Sequence, residues 1–250
     1  MRIAILDDYQ GVAMSSADWG SIPDAEVTAF AEHLDDIEAL AERLRGFEVI
    51  VAMRERTSFP RALLERLDKL KLLITTGGRN ATFDMTATKE RGITVAGTRG
   101  TSSPTAELAW GLIIALARHI PDEDTATRNG QWQTTLGINL EGRTLGVIGL
   151  GNLGGRVARV GKAFGMELIA WSQNLTTERA AEFGATLVTK DELLSRADFV
   201  SIHLQLSDRT RGLIGASELG LMRGDAYLVN TSRGPIVDEA ALIAALEAGQ

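Results

Sequence analysis

Cysteine is absent from this chain of 250 residues, and positive charge, aromatic side chains and long apolar runs are scarce. The lack of cysteine excludes disulfides, thiolate catalysis and Cys-ligated metals, and it suits a reducing compartment. The net charge of -7 and the aromatic content of 5% argue against a nucleic-acid groove, which needs a basic face and stacking rings. We therefore expect no nucleic-acid partner.

Signals for export, membrane insertion and metal binding are also missing. The first residues, MRIAILDDYQ, begin directly as a strand and lack the basic region and apolar core of a signal peptide. The longest helix-like apolar run, residues 108–117, is too short to cross a bilayer. No His-x-x-x-His or comparable spacing indicates a metal site. We expect a cytoplasmic protein with no membrane partner and no metal.

The chain does show a regular alternation of strand and helix patterns, which is typical of βαβ units and an α/β fold with parallel sheets. Predicted strands cover residues 2–6, 26–30, 49–53, 72–75, 93–96, 168–171, 186–188, 199–203 and 226–230. Predicted helices cover residues 35–44, 60–67, 105–119, 176–183, 190–195, 215–221 and 238–248. Pro121 is expected to end the third of these helices, before a loop at residues 128–142.

The most informative segment is residues 145–158, LGVIGLGNLGGRVA, in which a short strand pattern runs into a helix pattern. Gly149, Gly151 and Gly154 form G-x-G-x-x-G in the context that dinucleotide binding requires. The first glycine allows a tight turn, the second lets a pyrophosphate approach the backbone, and the third lets helix and strand pack closely. The alternative is a glycine-rich structural turn. The pattern favours a dinucleotide on the helix N-terminus.

The strand that follows ends at Ser172, where a carboxylate usually grips the ribose 2′-OH of the cofactor. Two interpretations are open. In the first, Ser172 and Asn174 hydrogen-bond the 2′-phosphate of NADP with the help of Arg179. In the second, they bind the unmodified ribose of NAD weakly. The missing acid removes the like-charge rejection of a phosphate. We expect NAD as the cofactor, with NADP possible.

His203 and Arg233 both follow strands, at the edge where open α/β sheets bind ligands. An imidazole there is a candidate acid or base, and the alternative is a structural histidine beside the cofactor. The planar guanidinium of Arg233 suits a carboxylate or a developing oxyanion, and the alternative is a surface salt bridge. Gly77 and Gly78 follow another strand, and the free backbone N–H groups of such a turn can bind an anion. The alternative is an ordinary turn between strand and helix, in which glycine provides left-handed geometry.

The remaining titratable clusters are interpreted as structural. The carboxylate groups at residues 7–8, 35–36 and 122–124 are expected to be solvated strand ends, helix starts or polar loops. His33 and His119 are expected at the surface or at helix ends, and neither is assigned a role.

Taken in order, these residues resemble the D-isomer-specific 2-hydroxyacid dehydrogenases, a family that includes phosphoglycerate, glyoxylate/hydroxypyruvate and D-lactate dehydrogenases. The motifs that carry the resemblance are TGGRNATFD at 76–84, SPTAE at 103–107 with LAR at 116–118, LEGRTLG at 140–146, SIHL at 201–204 with TRGLI at 210–214, and residues 222–239. The resemblance covers essentially all 250 residues in order.

The resemblance implies two Rossmann-like domains with doubly wound parallel sheets and an active site in the cleft. The polar, glycine-rich segment at residues 97–104 is interpreted as the crossing between a flavodoxin-like substrate domain, residues 1–97, and a cofactor domain, residues 98–250. The resemblance also implies that Arg233 holds the carboxylate of a 2-oxo acid and polarises its carbonyl. It implies further that Gly77 and Gly78 offer N–H groups to that carboxylate. The cofactor site would be lined by Asn152, Leu153, His203, Leu204, Thr210, Thr231 and Ser232.

The implied function is NAD(P)-dependent interconversion of a small 2-oxo acid and its D-2-hydroxy acid, performed by a homodimer. Three departures from the family pattern are Ser172 for the usual Asp, Gln205 for the usual Pro, and the end of the chain at Gln250. Because the family's catalytic His and its orienting Glu lie in a later stretch, we expect a C-terminally truncated sequence. The alternatives are a catalytically incomplete dinucleotide-binding regulatory or interaction module, and a dehydrogenase that uses His203 as its acid.

Overall fold

The computed structural model describes residues 1–101 and 103–249. Ser102, in the predicted crossing segment, and Gln250, the last residue of the second predicted domain, lie outside the described residues. The chain divides into two compact units, Met1–Thr101 and Ser102–Gln250. Each unit contains a five-stranded parallel sheet with its own apolar core, so the predicted α/β class with parallel sheets is confirmed.

In the first unit, short apolar strands alternate with helices that bury one face. The strands are β1 (Arg2–Ile5), β2 (Glu26–Ala29), β3 (Val49–Ala52), β4 (Leu72–Thr75) and β5 (Thr94–Gly97), and the helices are α1 (Ile37–Leu44), α2 (Arg61–Leu64) and α3 (Met85–Glu90). The strand order β2-β1-β3-β4-β5 is that of flavodoxin-like folds. In such sheets ligands bind beyond the carboxyl ends of the strands, beside β1 and β3.

The helices of this unit follow from local capping and from the apolar stripe. The carboxylate of Asp36 accepts a hydrogen bond from the N–H of Ala39, and α1 then buries its apolar face in the core. Asp84 caps α3 in the same way, through the N–H of Ala87. Helix α3 was not predicted. Helix α2 is shorter than predicted, because Pro60 lies at its N-cap and the helix already ends at Leu64.

The prediction that Asp7 and Asp8 are solvated is wrong, because both side chains are buried. Asp7 adopts left-handed backbone geometry, and its carboxylate contacts the imidazole Nδ1 of His33 at 2.8 Å. The hydroxyl of Thr57 donates to the second carboxylate oxygen at 2.8 Å. Asp8 accepts hydrogen bonds from the backbone of a short 3-10 turn. These contacts compensate for the cost of burying charge.

His33 therefore connects the ends of β1 and β2, and it is not the inert surface residue that was expected. Its second ring nitrogen lies 3.0 Å from a carboxylate oxygen of Asp35. The hydrogen bond to Asp7, reinforced by the negative charges of Asp7 and Asp35, raises the pKa of His33 above 6.5 despite partial burial. The charged imidazole is thus the form that the fold prefers.

Because the folded-state pKa of His33 is raised, its stabilising effect is complete below pH 6.5 and is lost as the pH rises through the folded-state value. We expect the free energy of unfolding to fall over this interval, and His33→Gln to remove that dependence. Urea unfolding as a function of pH, with His119→Gln as the control, measures the effect. An imidazole of His33 that titrates by NMR at or below 6.5 would contradict this prediction.

The second unit repeats the same construction with a different strand order. Its strands are β6 (Thr144–Ile148), β7 (Glu167–Trp171), β8 (Thr186–Leu187), β9 (Phe199–Ile202) and β10 (Tyr227–Asn230). Its helices are α4 (Ser103–Arg118), α5 (Ile120–Arg128), α6 (Asn152–Ala163), α7 (Thr177–Ala181), α8 (Lys190–Arg196), α9 (Ala216–Leu221) and α10 (Glu239–Glu247). The sheet order β10-β9-β6-β7-β8 corresponds to 5-4-1-2-3 within the unit, the Rossmann arrangement of its first five strands.

One helix of this unit was missed, because Pro121 was interpreted as a terminator. The chain instead turns at His119, whose φ of 51° is left-handed, and α5 begins at the next residue with Pro121 in its first turn. Proline is well tolerated there because the first N–H groups of a helix have no partner within it. The acidic residues 122–124 are consequently the start of a helix and not a loop.

Candidate nucleotide and 2-oxo acid site

The turn between β6 and α6 has the geometry that its three glycines predict. Gly149 has a φ of 97°, which favours glycine, and a Cβ there would lie 2.7 Å from the carbonyl oxygen of His203. A Cβ on Gly154 would overlap the carbonyl oxygen of Gly149, so only glycine lets the helix approach the strand this closely. Both positions are therefore determined by packing within the unit.

Gly151 differs from the other two, because a Cβ at this position would point into open space. It is the N-cap of the 12-residue helix α6, and no side chain caps that end. The first N–H groups of an α-helix lack intrahelical partners and carry a partial positive charge. An open approach to such an end suits a pyrophosphate, so these residues fit a dinucleotide.

Asn152 and Leu153 begin the first turn of α6, where the resemblance places cofactor contacts. The side-chain oxygen of Asn152 accepts a hydrogen bond of 3.4 Å from Nε of Arg156. Leu153 is half-buried at the same end. Both residues lie beside the open space at Gly151, which is consistent with the predicted role.

Ser172 follows β7 directly, at the position where the ribose-binding acid was expected. A turn joins the carbonyl of Ser172 to the N–H of Leu175 at 3.1 Å and leaves Asn174 exposed. The guanidinium of Arg179 lies 4.8 Å from the ring centre of Phe183 and pairs with Glu182. Arg179 is thus already occupied in its own helix, which weakens the interpretation that it holds a 2′-phosphate.

His203 lies just beyond β9 and is 9% exposed. Its Nε2 is 2.8 Å from the hydroxyl of Ser201, and its Nδ1 is buried with no hydrogen-bond partner among the described residues. Burial lowers the pKa of His203 to about 4, because the charged imidazolium would lose its hydration. The imidazole is consequently neutral near pH 7, which argues against its use as the proton donor.

The segment after His203 is shaped by a hydrogen-bonded turn. Leu204 lies against Gly149, with a methyl carbon 2.8 Å from where a Cβ of that glycine would stand. The hydroxyl of Thr210 donates to the carbonyl of Gln205 at 2.7 Å and accepts from the N–H of Ser207 at 2.8 Å. The side chain of Thr210 is therefore used within its own loop.

The neighbouring strand β10 ends in the segment that carries Thr231, Ser232 and Arg233. The hydroxyl of Ser232 donates to the carbonyl of Ile202 at 2.8 Å and so ties this segment to the end of β9. The hydroxyl oxygen of Thr231 is buried without a partner among the described residues. The exposed guanidinium of Arg233 donates to the carbonyl of Ser232 at 2.9 Å.

Asn230 was not assigned a role from the sequence, yet its side chain organises this segment. Its amide oxygen accepts from the N–H of Ser232 at 3.0 Å, and its amide nitrogen donates to the carbonyl of Arg233 at 3.0 Å. The available signal was an Asn followed by small polar residues after a strand, because Asn readily bonds the backbone two residues later. Nothing in the spacing indicated the second bond.

The Gly77–Gly78 turn of the first unit departs from expectation in one respect. The N–H of Gly77 donates to the carbonyl of Thr75 at 2.9 Å, so it is not available to a substrate carboxylate. The N–H of Gly78 has no hydrogen-bond partner among the described residues. Asn80 shapes the turn by donating to the carbonyl of Arg54 at 2.5 Å.

Within residues 1–101 and 103–249, no group of three His, Asp or Glu side chains is arranged to hold a metal ion. Over the same residues, no helix is both long and apolar enough to cross a membrane.

Comparison with known proteins identifies relatives of both units. A family model described as D-isomer specific 2-hydroxyacid dehydrogenase, NAD binding domain, matches residues 110–250. The chain is 39% identical over 217 residues to D-3-phosphoglycerate dehydrogenase of Methanocaldococcus jannaschii, covering 85% of this chain and 41% of that protein. It is 41% identical over 197 residues to glyoxylate reductase of Aeropyrum pernix, covering 75% of this chain and 59% of that protein.

A solved structure supports the same relationship. The phosphoglycerate oxidoreductase from Vibrio cholerae O395 superposes with a TM-score of 0.94 at 38% identity, covering 100% of this chain and 81% of that chain. The chain spans about two fifths to three fifths of the length of the two curated relatives above. The family model alone covers more than half of the chain. On this evidence the chain belongs to the D-isomer-specific 2-hydroxyacid dehydrogenase family.

Proposed function

We propose that the protein is an NAD(P)-dependent oxidoreductase that interconverts a small 2-oxo acid and its D-2-hydroxy acid. The observation that carries this proposal is the carboxyl edge of the second sheet. There the uncapped N-terminus of α6, open at Gly151, shares an edge with Arg233 at the end of β10. An anion-binding helix end and a guanidinium at one sheet edge suit a dinucleotide and a carboxylate substrate.

The residues have separate tasks in this reaction. The nicotinamide, when bound, would supply or accept the hydride, and a proton exchanged with solvent would complete or leave the hydroxyl group. The α6 N-terminus binds the pyrophosphate, and neutral His203 together with Thr231 lines the cofactor site. Arg233 binds the substrate carboxylate and stabilises the negative charge that develops on the carbonyl oxygen. In the first unit, the N–H of Gly78 is proposed to bind a carboxylate, whereas the N–H of Gly77 supports the turn.

NAD is the proposed cofactor, with NADP possible. The matching family model is an NAD-binding domain. Ser172 supplies no negative charge that would reject a 2′-phosphate. Arg179, the basic residue that the sequence suggested as a partner of this phosphate, instead pairs with Glu182 and lies over the ring of Phe183. These residues therefore neither strongly attract nor repel a 2′-phosphate. We accordingly propose NAD, whose ribose carries no 2′-phosphate, as the cofactor.

The experiment that tests the function uses the full-length natural protein with NADH or NADPH and a panel of 2-oxo acids. Glyoxylate and hydroxypyruvate, with D-3-phosphoglycerate and NAD for the reverse direction, represent the substrates named by the relatives. Cofactor oxidation is followed by absorbance, and the stereochemistry of the product is determined. Tight NADH binding without turnover of any 2-oxo acid would contradict the proposal and favour the binding-module alternative.

We also propose that the protein forms a homodimer through α4. Leu108, Leu112 and Leu116 recur every four residues on one face of this helix and are 57%, 40% and 37% exposed. Antiparallel pairing of α4 about Leu112 sets Leu108 of one copy against Leu116 of the other. The apolar face of α4 is therefore self-complementary under twofold symmetry.

Leu112→Glu is expected to convert the dimer to a monomer, because it places a charge at the centre of the apolar contact. Sedimentation velocity measures the mass in solution. Ile37→Glu on α1, which is 37% exposed, is the matched control and should leave the dimer intact. A monomeric parent protein, or a dimer that survives Leu112→Glu, contradicts this interface.

A further inference from the structure

The amide of Asn230 makes two hydrogen bonds to the segment that carries Arg233, and neither involves the guanidinium. One joins its oxygen to the N–H of Ser232, and the other joins its nitrogen to the carbonyl of Arg233, each at 3.0 Å. That carbonyl also accepts from the N–H of Ile236 at 3.2 Å, which starts a 3-10 turn. The backbone of Arg233 is thus defined by its neighbours before any ligand binds.

A third bond completes this arrangement on the other side. The hydroxyl of Ser232 reaches the carbonyl of Ile202, the residue that is paired with Asn230 across the sheet. Residues 230–233 are consequently tied to the end of β9 as well as to themselves. These bonds restrain the backbone of Arg233, and its guanidinium donates to the carbonyl of Ser232 in the same segment, so less conformational entropy is lost when the guanidinium binds an anion.

We propose that Asn230 is a positioning residue, which holds the backbone of Arg233 so that its guanidinium is preorganised for the substrate carboxylate. This inference rests on the proposed role of Arg233. Asn is required because one short side chain must both accept from Ser232 and donate to Arg233. Aspartate of the same size keeps the acceptor but places a second oxygen against the carbonyl of Arg233. Alanine loses both bonds.

The test measures two affinities for each variant of the full-length protein. Quenching of NADH fluorescence gives the Kd for NADH, and titration of the NADH complex with oxamate, an unreactive carboxylate analogue of a 2-oxo acid, gives the second Kd. We expect Asn230→Asp and Asn230→Ala to weaken oxamate binding by about tenfold or more and NADH binding by less than about twofold. Asn129→Ala, an exposed asparagine after α5, is the control and should change neither value.

A double-mutant cycle separates positioning from general loss of structure. In the Arg233→Ala background, Asn230→Ala should weaken oxamate binding no further, because the group that it positions is gone. Equal weakening in both backgrounds, or a loss of NADH affinity as large as that for oxamate, overturns the inference. If Arg233→Ala itself leaves oxamate binding unchanged, the proposed role of Arg233 fails as well. Weakening by Arg233→Ala with normal binding in both Asn230 variants overturns only the inference about Asn230.

Discussion

Arg233→Ala is expected to lower kcat/KM for a 2-oxo acid by more than about 10²-fold, the scale for loss of one donor to a developing oxyanion. The guanidinium contributes twice in the proposed reaction, because it binds the carboxylate and stabilises charge on the carbonyl oxygen. The planar fork of its guanidinium is preorganised, so less entropy is lost for each hydrogen bond that it forms. Steady-state kinetics with the best substrate of the panel measures the loss.

Arg233→Lys provides the finer comparison. Lysine keeps the positive charge but lacks the planar fork that bonds a carboxylate at two points, so we expect an intermediate loss. Arg196→Ala is the control, since this arginine is exposed on α8 and pairs with Glu192 one turn away. A loss of less than about tenfold in Arg233→Ala would remove this residue from the proposed site.

Gly154→Ala is expected to destabilise the second unit and to abolish NADH binding together. The added methyl group would overlap the carbonyl oxygen of Gly149, so α6 must move away from β6. Overpacking of this kind costs about 1–3 kcal/mol or more, and backbone cannot yield as a flexible side chain does. Urea unfolding gives the stability, and fluorescence titration gives the Kd for NADH.

Gly151→Ala is the matched control, because it adds the same methyl group where nothing lies within 4 Å. Its backbone φ of −89° is not in the left-handed region that favours glycine, so we expect a change in unfolding free energy of less than about 1 kcal/mol. NADH binding should nevertheless weaken by more than about tenfold, because the methyl group occupies the approach to the helix N-terminus. If both variants show the same stability, the packing role of Gly154 is refuted.

Strand and helix patterns predicted most of the fold, because each depends on residues close together in the chain. The strands of both sheets and the turn at Gly149–Gly154 follow from apolar periodicity and from glycine spacing. Helix α5 was not predicted, because a proline is compatible both with the end of one helix and with the first turn of the next. The position of Pro121 in a first turn depends on the left-handed geometry of His119.

The candidate site was predictable in outline and not in detail. The sequence placed His203 at the right sheet edge, but its neutral state depends on burial by the folded unit. It likewise placed Gly77 in the turn after β4. That the N–H of Gly77 donates to the carbonyl of Thr75 could be seen only in the folded backbone. Asn230 was overlooked because its second partner is defined only once the segment has folded.

By itself, the sequence determined the class of fold through its periodicity and the family through its motifs, and it predicted a dinucleotide site at Gly149–Gly154. Only the tertiary structure decided which polar groups are occupied and which remain available to a ligand. Asp7 and His33 show the reason, since they are 26 residues apart and meet only when two strands pair. Protonation and hydrogen bonding depend on such distant contacts, which no local pattern encodes.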